Sequence, residues 1–258
     1  MNLNENYNKL KSILGLSLSL AKANFKVRNE GSYLGIFWYL LEPLCFFLVI
    51  ILLRAVINQK SIDSYPLYLF LGLIMFNFFN GATGISSKIL VQSSGFIKSM
   101  NIHKEAFVIS VVLQYIFSHI FEMILFIFFI IYFKASLSGL IYYPFIFIFL
   151  CLFTLGISFI LSTIGVYIND LFNVWNVVMR VLWFATPIFY VLTEESILYR
   201  FNLFNPMYYF LDNARQWIIY NTIPSINSLL IMIMLGIGIF AIGLIIFEKN
   251  KIKFAEMM

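Results

Sequence analysis

The chain has 258 residues, of which 62% are hydrophobic and 11% charged. A soluble domain is about 45–50% apolar and about 25% charged, so a soluble globule, a disordered chain, a collagen-like chain and a disulfide scaffold are all excluded. The net charge of +5 is not gathered into a basic domain. That excludes a nucleic-acid partner and leaves Lys and Arg as signals of membrane topology.

A mean hydropathy of +0.92 makes lipid the solvent for most of the chain. The first element in chain order covers residues 8–30. Lys9, Lys11, the apolar run 12–20 and Ala21-Lys22-Ala23 mimic a secretory signal. A helical wheel points elsewhere. Lys11, Ser12, Ser19, Lys22 and Lys26 share one arc of about 100°. Leu10, Ile13, Leu14, Leu18, Leu20, Ala21 and Phe25 occupy the other side, interrupted by Ser17, Asn24 and Arg28. This pattern predicts an amphipathic helix lying in the membrane interface.

Six apolar segments follow, at about 36–57, 65–85, 106–133, 140–168, 172–193 and 226–247. All exceed the ~10 residues of a barrel strand and reach the ~20 of a spanning helix. The predicted fold is an all-α integral membrane protein with six transmembrane helices in a single domain. Only Asn169, Asp170 and Leu171 separate the fourth and fifth spans, which predicts a tight helical hairpin. Residues 88–100 lie in a polar stretch and predict a short helix broken near Gly95. The segment 195–220 lies between the last two spans, yet it carries Ile197, Leu198, Tyr199, Phe201, Phe204, Tyr208, Tyr209 and Phe210. Such an apolar connection predicts a re-entrant or interfacial helical hairpin, divided at Asn205-Pro206.

Lys and Arg counts orient the chain. With the N-terminus inside, Lys9, Lys11, Lys22, Lys26, Arg28, Lys88, Lys98, Lys104, Lys249, Lys251 and Lys253 are cytoplasmic. Lys60, Lys134, Arg200 and Arg215 are outside, with Arg54 near the outer end of the first span. A bias of about two to one predicts both termini in the cytoplasm.

The chemistry is sparse. No GxxxxGK[ST], HExxH or GxSxG occurs. Cys45 and Cys151 stand in apolar runs without metal-ligand spacing, and read as small buried hydrophobes. His103 and His119 are isolated in the sequence. No catalytic residue, metal site or cofactor is expected in this chain. What remains is a few ionisable groups inside spans, which are functional candidates by default. Glu42 lies about six residues into the first span and Arg180 about eight into the fifth, so their depths differ by about 3 Å. They are expected to face a protein interior or a lumen and to pair. Glu122 lies deeper in the third span with no evident partner. Aromatic residues gather as Trp38 and Tyr39, as Phe76, Phe78 and Phe79, and as Trp183, Phe184, Phe189 and Tyr190. They read either as a lipid-facing core with an interfacial belt or as rings that stack on sugar faces.

The stretch 25–43, FKVRNEGSYLGIFWYLLEP, resembles the start of ABC-2 type permease subunits that export polysaccharides. Ser32, Leu34, Gly35, Trp38 and Pro43 carry the match, while Asn29 and Glu30 depart from it. Residues 95–102 (GFIKSMNI), 162–170 (STIGVYIND), 186–190 (TPIFY) and 205–215 (NPMYYFLDNAR) resemble later parts of the same family in the same order. His103 stands where that family usually has Pro.

The resemblance implies a homodimer that docks two copies of a cytosolic ATP-binding cassette subunit. ATP and Mg would then belong to that subunit. It implies a coupling helix at 88–100, with Ile89, Gln92, Phe96 and Lys98 meeting the ATPase. It implies an outer gate at 195–220, with Tyr199, Asn205, Pro206, Tyr209 and Arg215. It implies a path for a lipid-linked polysaccharide (O-antigen, capsule or teichoic acid) past Trp38, Glu42, Arg180, Trp183 and Phe184. The location implied is the bacterial cytoplasmic membrane. Rival readings are an ABC-2 exporter of drugs or small lipids, a secondary transporter, and an enzyme acting on lipid-linked sugars. The second lacks an internal repeat between 36–133 and 140–247. The third lacks a carboxylate or His cluster, Glu194-Glu195 being the one adjacent acidic pair.

Overall fold

The computed structural model describes residues 3–30, 33–57, 64–99, 102–192 and 195–257. Ser32, Lys60 and Glu194, singled out above, lie outside the described residues. Helix α1 spans Leu3–Glu30 and begins earlier than the expected 8–30. A 3-10 turn at Gly35–Phe37 leads into α2, Trp38–Ile57. Gly35 has φ +47°, a left-handed backbone that glycine adopts without strain. It lies in the turn that leads from α1 toward α2. Then come α3 (Tyr65–Gln92), α4 (Ser94–Ser99), α5 (Glu105–Tyr132), a 3-10 turn (Ser138–Tyr142) and α6 (Tyr143–Tyr167). The rest are α7 (Leu171–Ala185), α8 (Ile197–Asn202), α9 (Pro206–Ile218), α10 (Ile226–Asn250) and α11 (Phe254–Met257). No strand occurs among the described residues.

Among the described residues, four helical stretches are long and apolar enough to cross a membrane: α3, α5, Ser138–Tyr167 and α10. Two of the expected spans differ in form. The segment 172–193 is helical only to Ala185, because Pro187 has no N–H to donate and pushes the preceding residue out of the helical region. Thr186 accordingly has ψ 137°. The segment 65–85 does not end where its apolar run ends. Helix α3 continues to Gln92, since Ile89 and Leu90 still have a core to face. The helix break comes at Ser93, just ahead of Gly95.

Helix α3 is the hub. It packs on α2, α5, α6, α7, α9 and α4. Its apolar window is 78% buried, against 17% for α10, which lies at the periphery on α6 and α9. Leu69, Phe70, Leu71, Ile74 and Met75 are fully buried.

Helix α1 packs along α5. It buries Ile13, Ser17 and Ala21, four residues apart, and leaves Leu10, Leu14 and Leu18 exposed. The apolar arc of the wheel is therefore divided between a protein face and an outward face. Ser17, expected to interrupt the apolar face, lies at the centre of the packed one. Its Oγ donates to the Ile13 carbonyl at 2.7 Å, which satisfies the hydroxyl locally. Cys45 is exposed on α2 and Cys151 is half-buried, so neither is the fully buried residue expected of it.

Lipid tails are as apolar as Leu, so close backbone approach has to hold α6 against α10. Small residues provide it. A Cβ added at Gly156 would strike the backbone of Ile239 and Phe240, and one at Gly243 would strike the Gly156 carbonyl. Gly156→Val should force the helices apart and cost about 1–3 kcal/mol, the usual range for overpacking. Gly238→Ala, where nothing lies within 4 Å, should be nearly silent. Thermal melting in detergent checks the pair. Equal melting temperatures for the two variants would contradict this packing.

Candidate functional site

The chain past Ala185 is the first feature of interest. A helix broken inside a membrane exposes carbonyls that lipid cannot satisfy, each costing several kcal/mol. Here every carbonyl from Pro187 to Tyr190 finds a donor. Arg215 Nη1 donates to Pro187 O at 2.6 Å, and its Nη2 donates to Ile188 O at 3.1 Å and to Tyr68 O at 3.2 Å. The Tyr68 hydroxyl donates to Tyr190 O at 2.8 Å, with a longer contact to Pro187 O at 3.2 Å. The Tyr65 hydroxyl donates to Phe189 O at 2.8 Å.

Arg215 is 3% exposed. Its guanidinium carbon lies 3.4 Å from the centre of the Tyr68 ring. A Cβ at Gly72 would collide with its Nη2, so glycine makes the space. Asn205 completes the joint. Its Oδ1 accepts from Met207 N at 3.0 Å as the cap of α9. Its Nδ2 donates to Thr186 Oγ1 at 2.9 Å and to Asn202 Oδ1 at 3.2 Å. Pro206 fills the first turn of α9, where a missing N–H costs nothing. Tyr209 donates to Leu203 O at 2.8 Å, and Tyr199 stands edge-on to Tyr208. The five residues assigned to the outer gate thus fasten α8 and α9 to each other, to the end of α7 and to the start of α3.

The path candidates are more dispersed. Trp38, Glu42, Arg180 and Phe184 are exposed, and Trp183 is half-buried. Trp183, Phe184, Phe189 and Tyr190 form one aromatic cluster with ring centres 4.8–6.3 Å apart. The expected pairing of Glu42 with Arg180 is not formed. Helix α2 packs on α3 and α5, whereas α7 packs on α3 and α6. Matched depth along two helices does not bring them side by side. Arg180 shares the outward face of α7 with Val174, Val177, Val181 and Phe184, which recur at three and four residues.

Glu42 instead opens onto a polar cavity of about 130 Å³ between α1, α2, α3 and α5. Arg28, Tyr39, Asn77, Asn80, Tyr115, Ser118 and Glu122 also line it. Glu122, which had no evident partner in the sequence, bonds His119 Nδ1 at 3.0 Å. His119 Nε2 meets the Tyr143 hydroxyl at 2.5 Å. Both His119 and Glu122 are buried, so His119 is part of a buried polar triad rather than isolated. Glu122 was visible as an intramembrane charge; His119 at i−3 on the same helix face was the signal for its partner.

At the other end, Ile89 is buried while Gln92, Phe96 and Lys98 are exposed. Ile97 anchors α4, packing with Phe254 of α11 in one core cluster. Lys104 Nζ donates to Lys251 O at 2.5 Å, and Lys251 bridges Glu105 at 2.7 Å and Glu248. Burial works against the Lys251 charge, but the bonds to Glu105 and Glu248 outweigh it and hold the ammonium above its ordinary value. Side-chain contacts join α3 to α7. Lys88 Nζ lies 3.6 Å from the Phe172 ring centre, and Trp175 Nε1 donates to Thr83 Oγ1 at 3.0 Å.

Removing Arg215 strands the buried Ile188 carbonyl and leaves Pro187 O only the longer Tyr68 contact, while Tyr68 O keeps its place in the α3 ladder. Arg215→Ala should cost about 1–3 kcal/mol, the usual cost of an orphaned buried acceptor. Arg180→Ala, on an exposed face, should stay within about 0.5 kcal/mol. Yield of monodisperse protein and melting in detergent measure both.

A model of the ABC-2 type transporter family matches residues 16–219. The chain is similar to an O-antigen export system permease protein RfbA of Myxococcus xanthus, 24% identical over 246 residues, covering 94% of this chain and 95% of the relative. It is also similar to an O-antigen export system permease protein RfbA of Klebsiella pneumoniae, 26% identical over 263 residues and covering all of both chains. With the family model spanning most of its length, this chain belongs to the ABC-2 type transporter family.

Proposed function

We propose that two copies of this chain form the export path of an ABC transporter that carries a lipid-linked polysaccharide across the bacterial cytoplasmic membrane. One observation carries the reading: permeases named for O-antigen export match 94% and 100% of the chain. Capsule and teichoic acid polymers are substrates of the same chemistry. Six crossings follow if α2 and α7, the latter extended by residues 186–192, join the four long apolar stretches. Both termini are then cytoplasmic, as the Lys and Arg bias requires.

The geometry supports a division of labour. No phosphate-binding GxxxxGK[ST] loop occurs in the sequence, so ATP and Mg belong to a separate cassette subunit. Exposed Gln92, Phe96 and Lys98 offer that subunit a small mixed surface at the end of α3. A push on α4 reaches α7 through α3, by way of Lys88 with Phe172 and Trp175 with Thr83. The outward faces of α2 and α7 carry Trp38, Glu42, Arg180 and Phe184. Facing a second copy, those helices would enclose a path whose rings suit the apolar faces of sugars, with few fixed charges to hold the polymer.

The test is reconstitution of the chain and its cassette subunit in liposomes with a lipid-linked glycan. ATP should move the glycan to the opposite leaflet, and the chain alone should hydrolyse no ATP. Phe96→Ala with Lys98→Glu should cut co-purification of the ATPase by about tenfold, as for loss of two exposed anchors. Transport without a cassette subunit, or undiminished ATPase binding by the double variant, would contradict the reading.

A further inference from the structure

Helix α1 lies along α5 and helix α10 along α6, and between α1 and α10 runs an open groove of about 450 Å³. Its walls are apolar over most of its length, with Ile109, Leu155, Phe159, Phe240 and Leu244 lining it. Its charged residues stand together at one end. Lys9, Glu105 and Glu248 line that end, by the start of α5 and the last turn of α10. From Phe240 to Glu248 the groove follows α10 for about 12 Å, at about 1.5 Å per residue. One leaflet of a ~30 Å hydrocarbon core is about 15 Å deep. The groove therefore has the depth of one leaflet and the polarity of a lipid molecule, with charge at the surface and hydrocarbon beneath. Its volume has room for roughly fifteen groups the size of a water, at about 30 Å³ each, and a methylene is of similar size.

Apolar walls select little, since lipid tails are as apolar as Leu. Selection falls to the charged end. Lys251 bridges Glu105 at 2.7 Å and also Glu248, and Lys104 Nζ donates to the Lys251 carbonyl at 2.5 Å. Those two ammonium groups balance the two carboxylates. Lys9 is then in excess: it is exposed and belongs to no ion pair among the described residues. One phosphodiester complements one spare ammonium. A second negative charge on the ligand would face Glu248, whose side chain is 42% exposed at the same end. An added headgroup ammonium would restore the positive excess. Uncharged headgroup hydroxyls avoid both penalties and can donate to the Glu248 carboxylate.

We infer that this groove seats one acyl chain of a phosphatidylglycerol-type phospholipid, with its phosphodiester on Lys9 and its headgroup hydroxyls on Glu248. The lipid ties α1 to α10 across the groove that the two helices leave between them. The site needs a membrane around the chain and no particular cargo, so it stands apart from the export reading.

The test is native mass spectrometry of the full chain in detergent, titrated with phosphatidylglycerol, phosphatidylethanolamine and phosphatidylcholine of identical acyl chains. Phosphatidylglycerol should be held most tightly. Lys9→Gln should weaken it about fivefold, as for one basic residue at an anionic lipid surface. Lys11→Gln should leave it unchanged, because Lys11 lines a different face of α1 with Leu14 and Leu18. Leu244→Trp fills the chain seat and should weaken binding at least as much as Lys9→Gln. Glycerol phosphate, which has the headgroup without the chains, should not compete. Melting of each variant without added lipid checks folding, and exposed Lys9 carries the test if Leu244→Trp melts early.

Equal losses for Lys9→Gln and Lys11→Gln, or equal retention of phosphatidylethanolamine, overturn the site. So does a dimer that excludes lipid and is abolished by Leu244→Trp, which gives the groove to a second copy of the chain.

Discussion

Carbonyls freed by a helix break need donors where water is absent, and the break at Thr186-Pro187 draws its donors from two other parts of the chain. Arg215 comes from α9, and Tyr65 and Tyr68 come from α3. A charge at full burial is expensive unless every bond it makes is good. Here the guanidinium meets three carbonyls and a tyrosine face, so cost and constraint fall on the same residue. The joint fixes the α8–α9 hairpin on the hub helix. It also shortens α7, and so leaves the aromatic cluster of Trp183, Phe184, Phe189 and Tyr190 at the point where helix gives way to extended chain.

The hub connects the two ends of the molecule. Helix α3 begins at the joint and ends at the surface carried by α4, and α7 is fastened to it at Thr83 and Lys88. On the cytoplasmic side proposed here, Phe254 and Lys251 brace the same end against α4, α5 and α10. A displacement at α4 therefore meets few soft connections before it reaches α7. That is the mechanical requirement of the proposed function, in which the energy comes from another chain.

Much of this was legible in the residues. The apolar fraction and the spacing of the apolar runs specify a helical membrane protein. The Asn205-Pro206 turn divides the segment 195–220 where α8 and α9 divide. What could not be read was lateral arrangement. Glu42 and Arg180 lie at similar depths, but depth is a one-dimensional quantity and α2 and α7 have different neighbours. The extent of α3 past residue 85 was hidden because hydropathy reports the solvent of a helix, not its end. Tyr65, Tyr68 and Gly72 were overlooked because a Tyr at a span end reads as an interfacial anchor. Pro187 was the available clue: a proline within a predicted span announces carbonyls in search of donors. The polar cavity was invisible for a similar reason, since Arg28, Tyr39, Asn80 and Glu122 come from four separate helices.

The central claim is that the α8–α9 hairpin moves with α3 and the end of α7 as one body. Spin labels at Ser64, which caps α3, and at exposed Phe204 between α8 and α9 test it directly by pulsed dipolar distance measurement in the assembled transporter. One narrow distance, the same with and without bound nucleotide, is the predicted result. A distance that shifts or splits when nucleotide binds would show the hairpin swinging free of the joint, and would contradict the account.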